Sequence, residues 1–389
     1  MTAPAQYDVI VLGLGGIGSG AAYWLAKRGA RVLGLEGFEF GHLRGESHDH
    51  SRIIRLSYHT PDYVRLARAA YAAWSELERD TGETFVTRTG GLDLGPRDGA
   101  IPLADYAASM RACGVPFEKL DAATIRERWP AFRIGDDVHG LFQADGGIVA
   151  AARGTAAHQR AARALGADLR DNAPVTTLHD RGGEIHVEAG GAAYRARKLV
   201  IAAGPWSARM LAAFDVRIPL EVIKEQVTYF APPEPESFAP DRFPVWIWMD
   251  DPSFYGFPSY AGAGVKVAQD AGGKAVDPDT RGFEADPDIS ARMQTFLERH
   301  LPGVLGPELV TKTCLYTLTP DRDFVLDRLA EHPAVCVAIG AGHAFKFASV
   351  LGRALAELAL DERSHHALPA FALDRPILRM SSPPTTYMV

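Results

Sequence analysis

Four stretches of the chain are nearly continuous apolar runs that stop at a glycine or an acid: 7–13 (YDVIVLG), 30–36, 198–204 (KLVIAAG) and 334–340 (AVCVAIG). Runs of this kind predict strands buried on both faces of a parallel sheet. The first is followed by a helical pattern from Ile17 to Arg28 that Gly29 can cap, and the second ends on Glu36. Thr60 and Pro61 supply an N-cap and a first-turn proline for a helix striped by Tyr63, Leu66, Ala70, Trp74 and Leu77. Residues 101–129 and 150–165 read as further helices, with a β-rich stretch beginning near Phe85. A short helix around Met210 and Leu211 follows the third run, and residues 342–346 open a last helix reaching Leu360.

Between Pro219 and Leu301 the pattern shortens to alternation, with Trp246, Trp248, Phe254, Tyr255, Phe257 and Tyr260. That predicts short antiparallel strands able to wall a pocket, most of whose aromatics fill a core. The fold class expected is α/β: a Rossmann-type domain assembled from discontinuous segments, with a second, antiparallel β-rich α+β domain. The boundaries expected are 1–84, 146–216 and 311–389 for the first, and 85–145 and 217–310 for the second.

Composition narrows the class. The chain has 389 residues, 47% hydrophobic and 23% charged, with a net charge of −7 (41 cations against 48 acids) and no block of like charge. This fits a soluble globular protein and points away from nucleic acid and from a polybasic membrane patch. No apolar run approaches the ~18–20 residues of a membrane span. The opening MTAPAQ shows no secretory pattern, and the proline-rich end SSPPTTYMV reads as loose. Cys113, Cys314 and Cys336 are too few and scattered for a disulfide framework or a zinc site, so a reducing, cytoplasmic setting is expected, with no metal. Eight lysines stand among the 41 cations, which makes each a rarer choice than arginine.

The first candidate chemistry is Gly13-x-Gly15-x-x-Gly18, set between the first strand and its helix, with Glu36 eighteen residues after Gly18. Gly13 makes the tight turn, Gly15 admits a pyrophosphate, Gly18 permits close helix packing, and the helix N-terminus favours an anion. Glu36 would accept from ribose hydroxyls, which disfavours NADP but leaves FAD and NAD unseparated. Downstream, Arg52 and Arg55 would share a face if residues 45–55 were helical.

Five segments together are more specific: the glycine motif, Ser47-His48-x-x-Ser51-Arg52-Ile53-Ile54-Arg55, Tyr255-Gly256-Phe257-Pro258, Cys314-Leu315-Tyr316-Thr317-x-Thr319-Pro320-Asp321, and Gly342-His343-x-Phe345-Lys346. In that order they resemble the monomeric sarcosine oxidase family, which also contains N-methyltryptophan oxidase and pipecolate oxidase. The resemblance implies an FAD-dependent oxidase that cleaves the C–N bond of a secondary amino acid, N-methyl or cyclic, and returns hydrogen peroxide from molecular oxygen. It implies FAD held covalently through a thioether to Cys314, with Ser47, Gly342 and His343 at the cofactor and His48 and Arg52 beside the flavin ring. Those two would lower the thiol's pKa. It places Arg55 and Lys346 on the substrate carboxylate, Lys266 over the flavin where oxygen is reduced, and Tyr255 and Tyr316 along the substrate cavity.

The chain departs from the family at Asp270, which stands in place of a histidine near the substrate. An anion there would raise the amine's pKa unless it points away or meets a second group on a larger substrate. Ile339 and Ala344 replace glycines, and Glu46 and Asp49 add negative charge. The implied partners are a small secondary amino acid and oxygen, with the chain acting as a monomer. The competing readings are a flavin-dependent amine dehydrogenase passing electrons to a carrier, and a flavin-binding redox protein without turnover.

Overall fold

In the computed structural model, residues 5–380, 383 and 384 are described; most of the segment read as a loose tail, and residues 1–4, lie outside them. The strand Ala5–Leu12 runs parallel to Val32–Leu35 on one side and to Ala192–Ile201 on the other, with Leu12 level with both Leu35 and Ile201. Asp168–Arg170 extends this sheet beyond Val32–Leu35, and Val335–Ile339 joins Ala192–Ile201 in parallel. Antiparallel strands Val175–Asp180, Ile185–Ala189 and Val325–Arg328 complete eight. Central residues such as Val9, Ile10, Val11 and Val200 are wholly buried, as their unbroken apolar runs predicted. The helices Gly16–Lys27, Ala151–Ala164 and Ala348–Asp361 pack together beside the glycine loop.

A second sheet has nine strands, antiparallel except where Val245–Trp248 lies parallel to Gly91–Pro96. Its backbone is Glu221–Phe230, paired along most of its length with Glu308–Leu318 and over its last residues with Val265–Gln269. A third sheet has three strands, with Gly147–Ala150 paired antiparallel to both Ser51–Ile54 and Val86–Arg88. Trp246, Trp248 and Phe254 gather on Phe296, with Phe254 and Phe296 stacked at 4.2 Å. These aromatics are core; Tyr255 is not, and faces a cavity.

Several local expectations are corrected. Residues 51–54 form a strand rather than a helix, so Arg52 and Arg55 do not share a helical face. The region 101–129 is two helices, Leu103–Ala112 and Ala122–Arg128, separated by the strand Glu118–Asp121. Gly114 at φ +62° turns the chain after the first, and Asp121 caps the second by accepting from the Thr124 amide. A helix, Pro287–His300, interrupts the stretch read as strands, with Asp286 as N-cap and Ile289, Met293, Phe296 and Leu297 on its buried face. The last helix begins at Ala348, preceded by a 3-10 turn Phe345–Phe347 that carries Lys346. Among the described residues no helix is long and apolar enough to cross a membrane.

Candidate functional site

The glycine loop opens a cavity of about 480 Å³ at the carboxyl edge of the eight-stranded sheet, lined among others by Gly13, Gly15, Glu36, Ser47 and His48. Gly13 sits at φ +84°, and a β-carbon there would lie 2.5 Å from the Ala202 carbonyl oxygen. A β-carbon on Gly18 would meet the Gly13 carbonyl oxygen at 1.8 Å, so this glycine is what lets helix and strand close. Two acceptors fix the loop. Glu36 Oε2 accepts from the Leu14 amide at 2.8 Å, and Ser47 Oγ accepts from the Gly16 amide at 2.9 Å.

A second cavity of about 130 Å³ shares Gly16, Ile17, Glu46, Ser47 and Gly340 with the first, so the two adjoin. Its walls bring together Arg52, Arg55, Tyr255, Asp270, Tyr316 and Lys346, with Gly342 and His343. These residues come from the three-stranded sheet, the nine-stranded sheet and the 3-10 turn, which no single sequence segment could have shown meeting. Arg55 Nη1 is anchored on Asp93 Oδ1 at 2.8 Å, and its guanidinium lies 5.0 Å from the Tyr58 ring centre. Lys346 is pushed down to about 7 by burial, with Arg55 adding to the shift. The Tyr255 and Tyr316 hydroxyls are 3.5 Å apart. Burial raises both phenols above their usual range, so they stay neutral.

Arg52 donates to the carbonyl oxygens of Ser51 and Glu46, both at 2.9 Å, which fixes its guanidinium in the wall of the second cavity. Lys266 is buried, with Nζ 2.7 Å from Asp49 Oδ2 and 2.8 Å from the Ser51 carbonyl oxygen. Burial pushes it down to about 8 even though Asp49 works the other way. Burial would also raise Asp49, but Lys266 and Arg52 outweigh it and hold that carboxyl well below its usual range. Tyr229 and Lys312 complete the surroundings of Asp49. Neither Lys266 nor Cys314 lines the cavities; both are buried.

Two electrostatic expectations change. His48 does not supply positive charge to Cys314: burial, helped by Arg52, pushes it down to about 3, so it is neutral, and both ring nitrogens lack a partner. The Cys314 thiol is pushed up to about 11 by burial, with Arg52 opposing. Asp270 is not a lone anion. Arg322 Nη1 lies 3.0 Å from its Oδ2, and Arg322 is itself buried. His343 is tied into the wall, Nε2 lying 2.9 Å from the Arg322 carbonyl oxygen and the ring stacked on Phe324.

Asp49, Asp93 and Arg322, the partners that set these charges, escaped sequence reasoning as functional residues. Asp49 stood as added negative charge, although its place inside the Ser47–Arg55 segment was a signal. Asp93 and Arg322 had none beyond lying beside turn residues. Away from the cavities, Glu357, His365 and His366 bring ligand atoms within 4.8 Å of one another. The Glu357 carboxylate there already accepts from Arg353 and Ser364.

The donor set fits FAD. The glycine cradle, the helix N-terminus that begins after Gly15, and His48, whose buried ring nitrogens have no protein partner, line one cavity of about 480 Å³. Comparisons with known proteins agree. Residues 8–358 match the family described as FAD dependent oxidoreductase, DAO. The chain is 37% identical to the monomeric sarcosine oxidase of Streptomyces avermitilis over 373 residues, covering 94% of this chain and 96% of that one. It is 32% identical to the N-methyl-L-tryptophan oxidase of Salmonella arizonae over 376 residues, covering 95% and 99%. Among solved structures, the open form of NikD, described as an unusual amino acid oxidase, superposes with a TM-score of 0.85 at 30% identity, covering 95% of this chain and 97% of that one.

Proposed function

The chain belongs to the FAD-dependent oxidoreductase family, and from that footing we propose that it oxidises the C–N bond of an N-methyl or cyclic secondary amino acid. One observation carries the reading: the dinucleotide cleft shares a wall with a compartment flanked by Arg52, Arg55 and Lys346. FAD, when bound, supplies the two-electron acceptor for the hydride leaving the carbon next to nitrogen.

In this reading Arg55 and Lys346 hold the substrate carboxylate. Asp93 keeps the Arg55 fork in place, and a bound carboxylate restores the proton that burial strips from Lys346. The cations around the cavity favour the neutral amine that donates hydride. Arg322 neutralises Asp270, so that residue accepts from the amine N–H without adding an uncompensated negative charge. Tyr255 and Tyr316 close the cavity as neutral phenols. Lys266, fixed by Asp49, would stabilise the negative charge that develops when oxygen is reduced to hydrogen peroxide at this site.

Cys314 would carry FAD through a thioether, and the glycine loop, Glu36 and Ser47 would bind its nucleotide half. Cys113 and Cys336, the cysteines not assigned to FAD, are free thiols, which supports a cytoplasmic setting. The names of the sarcosine oxidase relatives support a monomer. The test is incubation in air with sarcosine and other N-methyl amino acids. One peroxide per amine consumed supports an oxidase; amine consumption only on adding an artificial electron carrier makes it a dehydrogenase instead.

A further inference from the structure

Glu225 is a buried carboxyl that the mechanism above does not use. It lies in the strand Glu221–Phe230 directly opposite Cys314 of Glu308–Leu318, in antiparallel register. Opposed residues leave the same face of a sheet with β-carbons about 5 Å apart. Glu225 Oε1 accepts from the Gly273 amide at 2.9 Å, while Oε2 is buried without a partner. A buried carboxyl oxygen left unpaired is costly, and this one belongs to a side chain set beside the sulfur expected to bond to FAD.

We propose that Glu225 takes the Cys314 thiol proton when the sulfur bonds to the flavin 8α carbon. The inference rests on the reading that Cys314 is the attachment point. Only the thiolate attacks, yet burial pushes this thiol up to about 11, so most of it is protonated near neutrality. Arg52 and Lys266 face the sulfur and favour the anion, while Glu225 and Glu46 oppose it. Arg281 is also close, and Tyr255 and Tyr316 are neutral. His48 is too weak a base to serve.

Glu225 itself is pushed up to about 7 by burial; the Gly273 amide and Arg322 pull it down, and Asp270 pushes it up. It can therefore hold a proton. When that proton comes from Cys314, the carboxylate opposing the sulfur loses its charge as the sulfur gains one. Arg52 and Lys266 are then left facing the thiolate unopposed by Glu225. Sγ and Oε2 are not in hydrogen-bond contact, so the transfer runs through a turn of the Glu225 side chain or one water. Across the whole step the S–H bond and one C–H bond of the flavin 8-methyl group break, and an S–C bond forms. The two electrons and two protons released leave on dioxygen as hydrogen peroxide.

Glu46 lines both cavities, so replacing it disturbs FAD binding, whereas Glu225 lines neither. The experiment mixes flavin-free full-length chain with FAD in air, quenches in acid at intervals, and counts flavin that stays with the protein. Glu225→Gln is expected to bind FAD with unchanged affinity, read by flavin fluorescence, but to attach it at least tenfold more slowly; Glu225→Asp keeps part of the rate. Raising the pH toward 11 ionises the thiol directly and narrows the gap. Attachment by Glu225→Gln at the wild-type rate, or a deficit equal at every pH, overturns the proposal. If the glutamine variant does not fold, Glu225→Asp decides: a wild-type rate with an unshifted pH profile overturns it. Acid-labile flavin in the wild type refutes the attachment reading beneath it, an outcome distinct from all of these.

Discussion

Arg322 holds Asp270 by a single ion pair, Nη1 to Oδ2 at 3.0 Å, on the wall of the substrate cavity. Arg322 is 6% exposed and its Nε and Nη2 have no other partner, so Asp270 is the counter-charge that makes its burial tolerable. Removing one member of such a pair strands the other. Arg322→Ala is expected to lower stability by about 3 kcal/mol, and Asp270→Asn to be destabilising for the converse reason. The double variant should cost less than the sum, because each single change removes the same pair. Urea denaturation of the four proteins checks this; additive losses would mean that the pair does not act as one unit.

The same pair bears on substrate choice. Arg322→Ala turns Asp270 into the lone anion that sequence alone suggested, which holds a substrate amine in its protonated, unreactive form. The pH at which flavin reduction reaches half its limiting rate should move upward in Arg322→Ala and stay near the wild-type value in the double variant. Rapid-mixing reduction under argon reads the shift.

Lys266 is set against Asp49 at 2.7 Å with no access to bulk water, a fixed cation rather than a mobile one. Lys266→Met should slow reoxidation of the reduced flavin by oxygen by about 10²-fold or more, the loss typical of a preorganised electrostatic contact. Reduction by substrate should change far less. Stopped-flow measurement of the two half-reactions separates them, and equal slowing of both would place Lys266 in substrate binding instead.

Lys346 gives a pH dependence of known sign. Its ammonium binds carboxylate, and burial pushes it down to about 7 from an ordinary 10.5. Affinity for a simple carboxylate such as acetate should be level below pH 7 and fall above it, by up to tenfold per pH unit. Lys346→Met weakens binding throughout and removes that fall. Stability follows the opposite course. Below pH 7 both folded and unfolded chains carry the proton and the buried charge disfavours folding. Between about 7 and 10.5 the unfolded chain binds more protons, so this lysine's contribution to stability improves as pH rises. Titration of acetate binding, and of the urea midpoint, across pH 6 to 10 checks both signs.

Much of the scaffold could be read from pattern because its strands are buried on both faces. Val9, Val11, Val200 and Val337 leave no polar position to blur the run, and Gly13 and Gly18 mark where the backbone must turn and close. Pattern failed where local and tertiary preferences compete. Arg52 and Arg55 have helical spacing, but pairing of residues 51–54 with Gly147–Ala150 makes that segment a strand. The helix Pro287–His300 had a readable apolar stripe, Ile289, Met293, Phe296 and Leu297, which the surrounding alternation hid. The first ring of charged residues was legible through motif resemblance. Their counter-ions were not, since Asp49 reaches Lys266, Asp93 reaches Arg55 and Arg322 reaches Asp270 across 217, 38 and 52 positions of the chain, and partners decide which groups are charged. His48 shows the consequence: the residue was found, but its charge depended on burial that no spacing encodes.

The central claim is that the cavity beside Arg55 and Lys346 delivers a secondary amino acid to bound FAD. The most direct measurement is anaerobic addition of sarcosine, N-methyl-L-tryptophan, proline and pipecolate to the FAD-loaded protein, followed by its yellow absorbance. Full bleaching by at least one of these amines is expected, at a rate that saturates with concentration, with return of the colour on admitting air. A flavin that dithionite bleaches but none of the amines does would contradict it.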